Sequence, residues 1–159
     1  MLFTIVNIMC LLFLLAITIQ DFLERKVFIW LFMSIGLLMP LLYLTKTNTL
    51  SYFINIAYNL VILFVIISVL FIYSKLKLKQ PLLSGLGLGD MWFFFIIAIS
   101  FPLSSFLVLF SCSLIFSLIL FSFLRSSLKN KHVPLAGLQA LFFFVILTAN
   151  SAFKLTIYI

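Results

Sequence analysis

Apolar runs of about 20 residues recur along this chain, each broken by a short cluster of charge or by Pro and Gly, and no other feature restricts the fold so strongly. A run of that length crosses the bilayer hydrocarbon as a helix, because its backbone groups must find their partners inside the segment. Hydropathy places spans at Leu2–Ile19, Val27–Leu44, Tyr52–Tyr73, Leu88–Phe101, Leu103–Leu124 and Val133–Ala149. The stretch from Met91 to Leu124 carries no charge and is too long for one ordinary span, and Pro102 falls where a turn would part it into two helices. The predicted fold is therefore all-α: a polytopic membrane bundle of six transmembrane helices, one domain over residues 1–159. Almost nothing is left for a soluble domain, in keeping with a chain that is 66% hydrophobic and only 8% charged.

The charges themselves give a topology. Arg25, Lys26, Lys75, Lys77, Lys79, Arg125, Lys129 and Lys131 fall in the first, third and fifth loops, leaving Lys46 and Lys154 for the other side. The positive-inside rule then puts the odd loops in the cytoplasm and both termini outside. It also explains the net charge of +7 without nucleic acid, since the basic residues sit singly or in small groups between spans and form no stripe. The first run has no basic start and no small-residue cleavage site, so it is expected to remain as a permanent span. Cys10 and Cys112 each lie inside an apolar run without a second cysteine nearby, and both read as packing residues, with no metal site implied. Asn7, Cys10, Leu14, Thr18 and Asp21 share one face of the first helix, Asn55 and Asn59 lie one turn apart on the third, and Ser104, Ser111 and Ser122 align on the fifth. The plain reading of these serines and asparagines is helix packing and hydrogen bonding between helices.

The chain has three acidic residues, Asp21, Glu24 and Asp90. Ionisable groups at membrane depth are costly and usually functional. Asp21 closes the first span and Asp90 opens the fourth, so the topology places both at the cytoplasmic boundary, where a folded bundle can join them. Three glycines precede Asp90 in Ser84-Gly85-Leu86-Gly87-Leu88-Gly89-Asp90, permitting close approach of a peptide backbone to the carboxylate. The same pattern also suits a helix start with Asp90 as its cap. Glu24 reads as a solvated loop charge beside Arg25 and Lys26, and His132, the one histidine, as a loop residue among Lys129 and Lys131. The basic loops would also contact anionic lipid headgroups.

Gly87-Leu88-Gly89-Asp90 resembles the Gly-x-Gly-Asp motif of the prepilin peptidases, the type IV leader peptidases among intramembrane aspartic peptidases. Asp21 followed by Glu24-Arg25-Lys26-Val27 is similar to that family's first motif, and Val133-Pro134-Leu135-Ala136-Gly137 to the Pro-containing start of its last helix. Many members continue the first motif as Ile-Pro-Asn where Val27-Phe28-Ile29 stands here, and often carry lysine at the position of Trp92. The larger members' cytoplasmic domain with paired Cys-x-x-Cys motifs has no counterpart in this sequence, so the resemblance is to the short form without N-methyltransferase activity.

The resemblance implies an aspartic endopeptidase of the bacterial cytoplasmic membrane. It would cleave the leader from type IV pilin-like precursors at the cytoplasmic face, just before their hydrophobic N-terminal helix, with Asp21 and Asp90 catalytic. Gly87, Gly89 and Pro134 would form the active-site and substrate-binding backbone. No cofactor is required, because one carboxylate can take a proton from water while its protonated partner polarises the scissile carbonyl, two close like charges being unable to ionise together. Helix ends suggest Asp90, at an N-terminus, as the ionised base and Asp21, at a C-terminus, as the acid, with Arg25 one turn away opposing this. Two other readings fit a membrane chain with boundary carboxylates: a proton- or cation-coupled transporter, which predicts inverted repeats and charge near the midplane, and an inactive scaffold of a pilus or secretion assembly.

Overall fold

A computed structural model describes residues 2–24, 26–78, 87–124, 134–153 and 157–158, and among them the chain is helical with no strand. Six α-helices follow in order: α1 Leu2–Glu24, α2 Ile29–Leu44, α3 Thr49–Tyr73, α4 Leu88–Ser100, α5 Leu103–Leu124 and α6 Leu135–Phe153. A π-helical turn, Ser74–Leu78, extends α3. Every helix expected from hydropathy is present, with boundaries that depart at polar ends: α1 runs past Ile19 to Glu24, because backbone pairing continues where apolarity stops. Four helices, α1, α3, α5 and α6, are long and apolar enough to cross a membrane. At 16 and 13 residues, α2 and α4 rise only about 24 and 20 Å at 1.5 Å per residue, short of the roughly 30 Å of hydrocarbon.

Neighbours run round the bundle in the order α1, α2, α4, α3, α5, α6, and α6 closes on α1 along the most extensive packing in the molecule. The centre is aromatic. Tyr43 stacks on Tyr158 with centroids 6.2 Å apart, Tyr158 on Phe101 at 5.6 Å, and Phe101 on Phe143 at 5.6 Å, tying the C-terminal ends of α2 and α4 to the middle of α6. The polar face expected on α1 is buried, with Asn7, Cys10, Leu14, Thr18 and Asp21 all turned inward. On α5 the outcome differs. Ser104, Ser111 and Ser122 are exposed, and the inward serines are Ser113 and Ser117, which share a face with Phe106, Leu109 and Phe110. Large aromatic side chains set which way that helix turns, and the small hydroxyls follow. Cys112 is likewise exposed, unlike the packing residue expected, whereas Cys10 is buried as expected.

Pro102 does part α4 from α5. The residue before it, Phe101, is driven out of helical geometry to φ −137° and ψ 153°, as expected ahead of a proline. The break frees backbone groups that lipid cannot satisfy. Asn59 of α3, fully buried, donates to the carbonyls of Ala98 and Phe101 at 2.8 Å each, and the Asn55 side-chain oxygen accepts from Leu103 N–H at 3.3 Å. Asn55 and Asn59 are thus the interhelical hydrogen-bond pair that their spacing suggested. Replacing Asn59 by Leu is expected to lower stability by about 1–3 kcal/mol through the two stranded carbonyls. Denaturant unfolding in mixed micelles, at unchanged helical circular dichroism, checks this.

Candidate active site

Three helix ends meet at one end of the bundle: the last turn of α1 and the first turns of α4 and α6. The start of α6 organises them. Pro134 has no N–H and a fixed φ, so a helix begins readily after it, and its carbonyl accepts the first helical bond from Leu138 N–H at 3.0 Å. The amides of the next residues have no partner inside their own helix. Ala136 N–H donates to Asp90 Oδ1 at 2.7 Å, and Gly137 N–H donates to Asp21 Oδ2 at 2.6 Å. Two carboxylates from different helices, 69 residues apart in sequence, therefore rest on consecutive amides of a third helix.

Asp90 has a second partner. It occupies the third position of α4 and its Oδ2 accepts from the N–H of the N-cap residue Gly87 at 3.1 Å, the reciprocal half of a capping box. The capping role read for Asp90 from the sequence and its approach to Asp21 thus coexist, because the two oxygens are used separately. Asp21 is 8% exposed while Asp90 is half-buried, and the pair lies near enough for the charge on one to act on the other.

Glycine is required at one position here. A Cβ built on Gly137 would stand 2.8 Å from both Cβ and Oδ2 of Asp21, closer than such atoms ever approach. Gly87 and Gly89 are less constrained. A Cβ on Gly87 would come 3.2 Å from Asp90 Oδ2, and one on Gly89 would come 3.3 Å from the ring of Phe32 on α2. All five residues singled out from the sequence, Asp21, Gly87, Gly89, Asp90 and Pro134, thus lie at this end of the bundle. Sequence reasoning missed Ala136 and Gly137, the residues whose amides hold the carboxylates. A backbone N–H leaves no trace in residue type, and the available signal was Gly137 itself, a glycine one turn into an apolar helix, where it lowers helix propensity without a local reason.

The expected division of the proton by helix ends changes its footing. Asp21 lies in the last turn of α1 but also at the amino end of α6, so both carboxylates face the positive pole of one helix. Macrodipole asymmetry no longer separates them. Glu24 and Lys26 are exposed beside α1, consistent with solvated charge. Ser84, Gly85, Leu86, Arg25, Lys79, Arg125, Lys129, Lys131, His132, Val133 and Lys154 lie outside the described residues. Compared with protein families, curated proteins and solved structures, the chain gives no match, so the functional reading stands on the residues of this site.

Proposed function

We propose that this protein is a membrane-embedded aspartic endopeptidase that removes the leader of type IV pilin-like precursors, with Asp21 and Asp90 as its catalytic pair. The observation that carries the reading is the seating of both carboxylates on the adjacent amides of Ala136 and Gly137. A transport site would be better served by charge near the bilayer midplane, whereas this pair sits at one end of the bundle beside a glycine-containing backbone that a peptide can approach. That end is assigned to the cytoplasm, because exposed Lys26 and Lys75 follow α1 and α3 there. Both termini are then extracytoplasmic, in a bacterial inner membrane.

Hydrolysis needs only one proton on the pair. Water between the carboxylates attacks the scissile carbonyl carbon as its proton passes to the ionised aspartate, while the protonated aspartate donates a hydrogen bond to the carbonyl oxygen. Collapse of the tetrahedral intermediate breaks the C–N bond, the leaving nitrogen takes a proton from the pair, and one shared proton remains. The α6 amides hold Oδ2 of Asp21 and Oδ1 of Asp90, and Gly87 N–H holds Oδ2 of Asp90, so both carboxylates are positioned before a substrate arrives.

Co-expression with a pilin-like precursor, followed by mass spectrometry of the product N-terminus, tests the proposal. Wild type should yield a product beginning at the apolar helix, and Asp21→Asn and Asp90→Asn should each leave the precursor intact. Equal processing by all three would overturn it.

A further inference from the structure

An apolar groove of about 460 Å³ runs between α2 and α4 on the outer surface of the bundle. Phe32, Met33 and Gly36 line one wall, and Trp92, Ile96 and Ile99 the other. Its walls are the two short helices, and they run in parallel from the carboxylate end: Phe32 meets Gly89, and Gly36 meets Ile96 one turn deeper. The groove is continuous with the candidate active site. Phe32, which lines it, stands over Gly89, where a Cβ would come 3.3 Å from its ring, Asp90 is the next residue, and Trp92 lies two residues beyond Asp90 and is 60% exposed.

We propose that this groove seats the apolar helix that follows the scissile bond of the substrate. This deepens the peptidase reading and rests on it. A peptide bond presented to carboxylates at a lipid–water boundary belongs to a chain that is polar on one side of the cut and apolar on the other. The groove supplies a lane for the apolar side. Its lining extends from Ile29 to Leu37 on α2, about 12 Å or two helical turns, enough to hold anchors at i, i+3, i+4 and i+7 of a docked helix. The floor suits close helix approach. Gly36 has no side chain, so the backbone of a docked helix can come close there. The mouth is apolar too, since the aromatic ring of Trp92 stands where a lysine would present charge. The first residues after the cut are therefore expected to sit against Trp92 and Phe32, those one turn later against Gly36, and those two turns later against Ile99.

The test uses the full-length protein in bilayers, with Cys112→Ser as background and a precursor bearing one cysteine two turns into its apolar helix. Leu37→Cys and Ile99→Cys should form disulfides with the precursor under mild oxidation, and Leu118→Cys, exposed on α5 away from the groove, should not. Gly36→Leu fills the floor and should raise KM for cleavage by about tenfold with kcat little changed, the pattern of lost ground-state binding. A Cβ there meets Ile96 of α4 at 3.4 Å, so helical circular dichroism and thermal unfolding are measured beside KM to show that the α2–α4 packing survives. Cleavage by wild type with no groove cross-link and an unchanged KM for Gly36→Leu would mean that lipid alone fills the groove, overturning this inference and leaving the peptidase intact. Groove-specific cross-links without cleavage by wild type would do the reverse, supporting a helix-docking lane and removing the peptidase.

Discussion

Replacing Gly137 by Ala is expected to lower cleavage about as far as removing a catalytic carboxylate, on the order of 10²–10⁴-fold. The added Cβ would overlap Asp21 Cβ and Oδ2, both 2.8 Å away, and Asp21 Cβ is anchored directly to the α1 backbone. Because α1 and α6 share the most extensive packing in the bundle, relief must come from prising their ends apart or from turning the carboxylate off the Gly137 N–H. Either route separates Asp21 from Asp90, which stays bound to Ala136. Secondary structure should survive, since Ala is the better helix former by about 1 kcal/mol. Cleavage rate measured beside helical circular dichroism distinguishes displacement from unfolding. A fully active, folded Gly137→Ala protein would show that the Asp21 position matters little.

The second large effect is expected of Asp21→Asn and Asp90→Asn, each costing about 10²–10⁴-fold in kcat while leaving the fold in place. Asn keeps a carbonyl oxygen in the same shape, so the hydrogen bonds from Gly137 N–H and from Ala136 N–H can persist. What it loses is the ability to carry the proton that moves between water, substrate and pair. Thermal unfolding close to wild type combined with a collapsed kcat is the predicted signature. A large fall in stability with proportionate residual activity would instead mark the aspartates as structural caps.

Much of this architecture is legible in the sequence because membranes impose simple rules. Six apolar runs gave six helices, and Pro102 marked the α4–α5 break because its ring forbids helical geometry at Phe101. Asp21 and Asp90 stood out because carboxylates are rare in such a chain, and the face Asn7, Cys10, Leu14, Thr18, Asp21 pointed the first of them inward. Three features were not legible. The orientation of α5 depends on how Phe106 and Phe110 fill the bundle, so serine spacing named the wrong face. The amides of Ala136 and Gly137 are backbone groups whose role arises only when three helix ends converge. The late start of α2 is the third, because Val27 and Phe28 are apolar but lie outside the helix.

Asp21 and Asp90 are proposed to work as one unit, and single-turnover cleavage by the double variant tests that directly. Wild type, Asp21→Asn, Asp90→Asn and Asp21→Asn/Asp90→Asn are compared on one pilin-like precursor. A shared-proton pair predicts that the double variant is no slower than the worse single variant, because losing either member already disables the other. Rate losses that multiply in the double variant, or a single variant that cleaves at the wild-type rate, would contradict it.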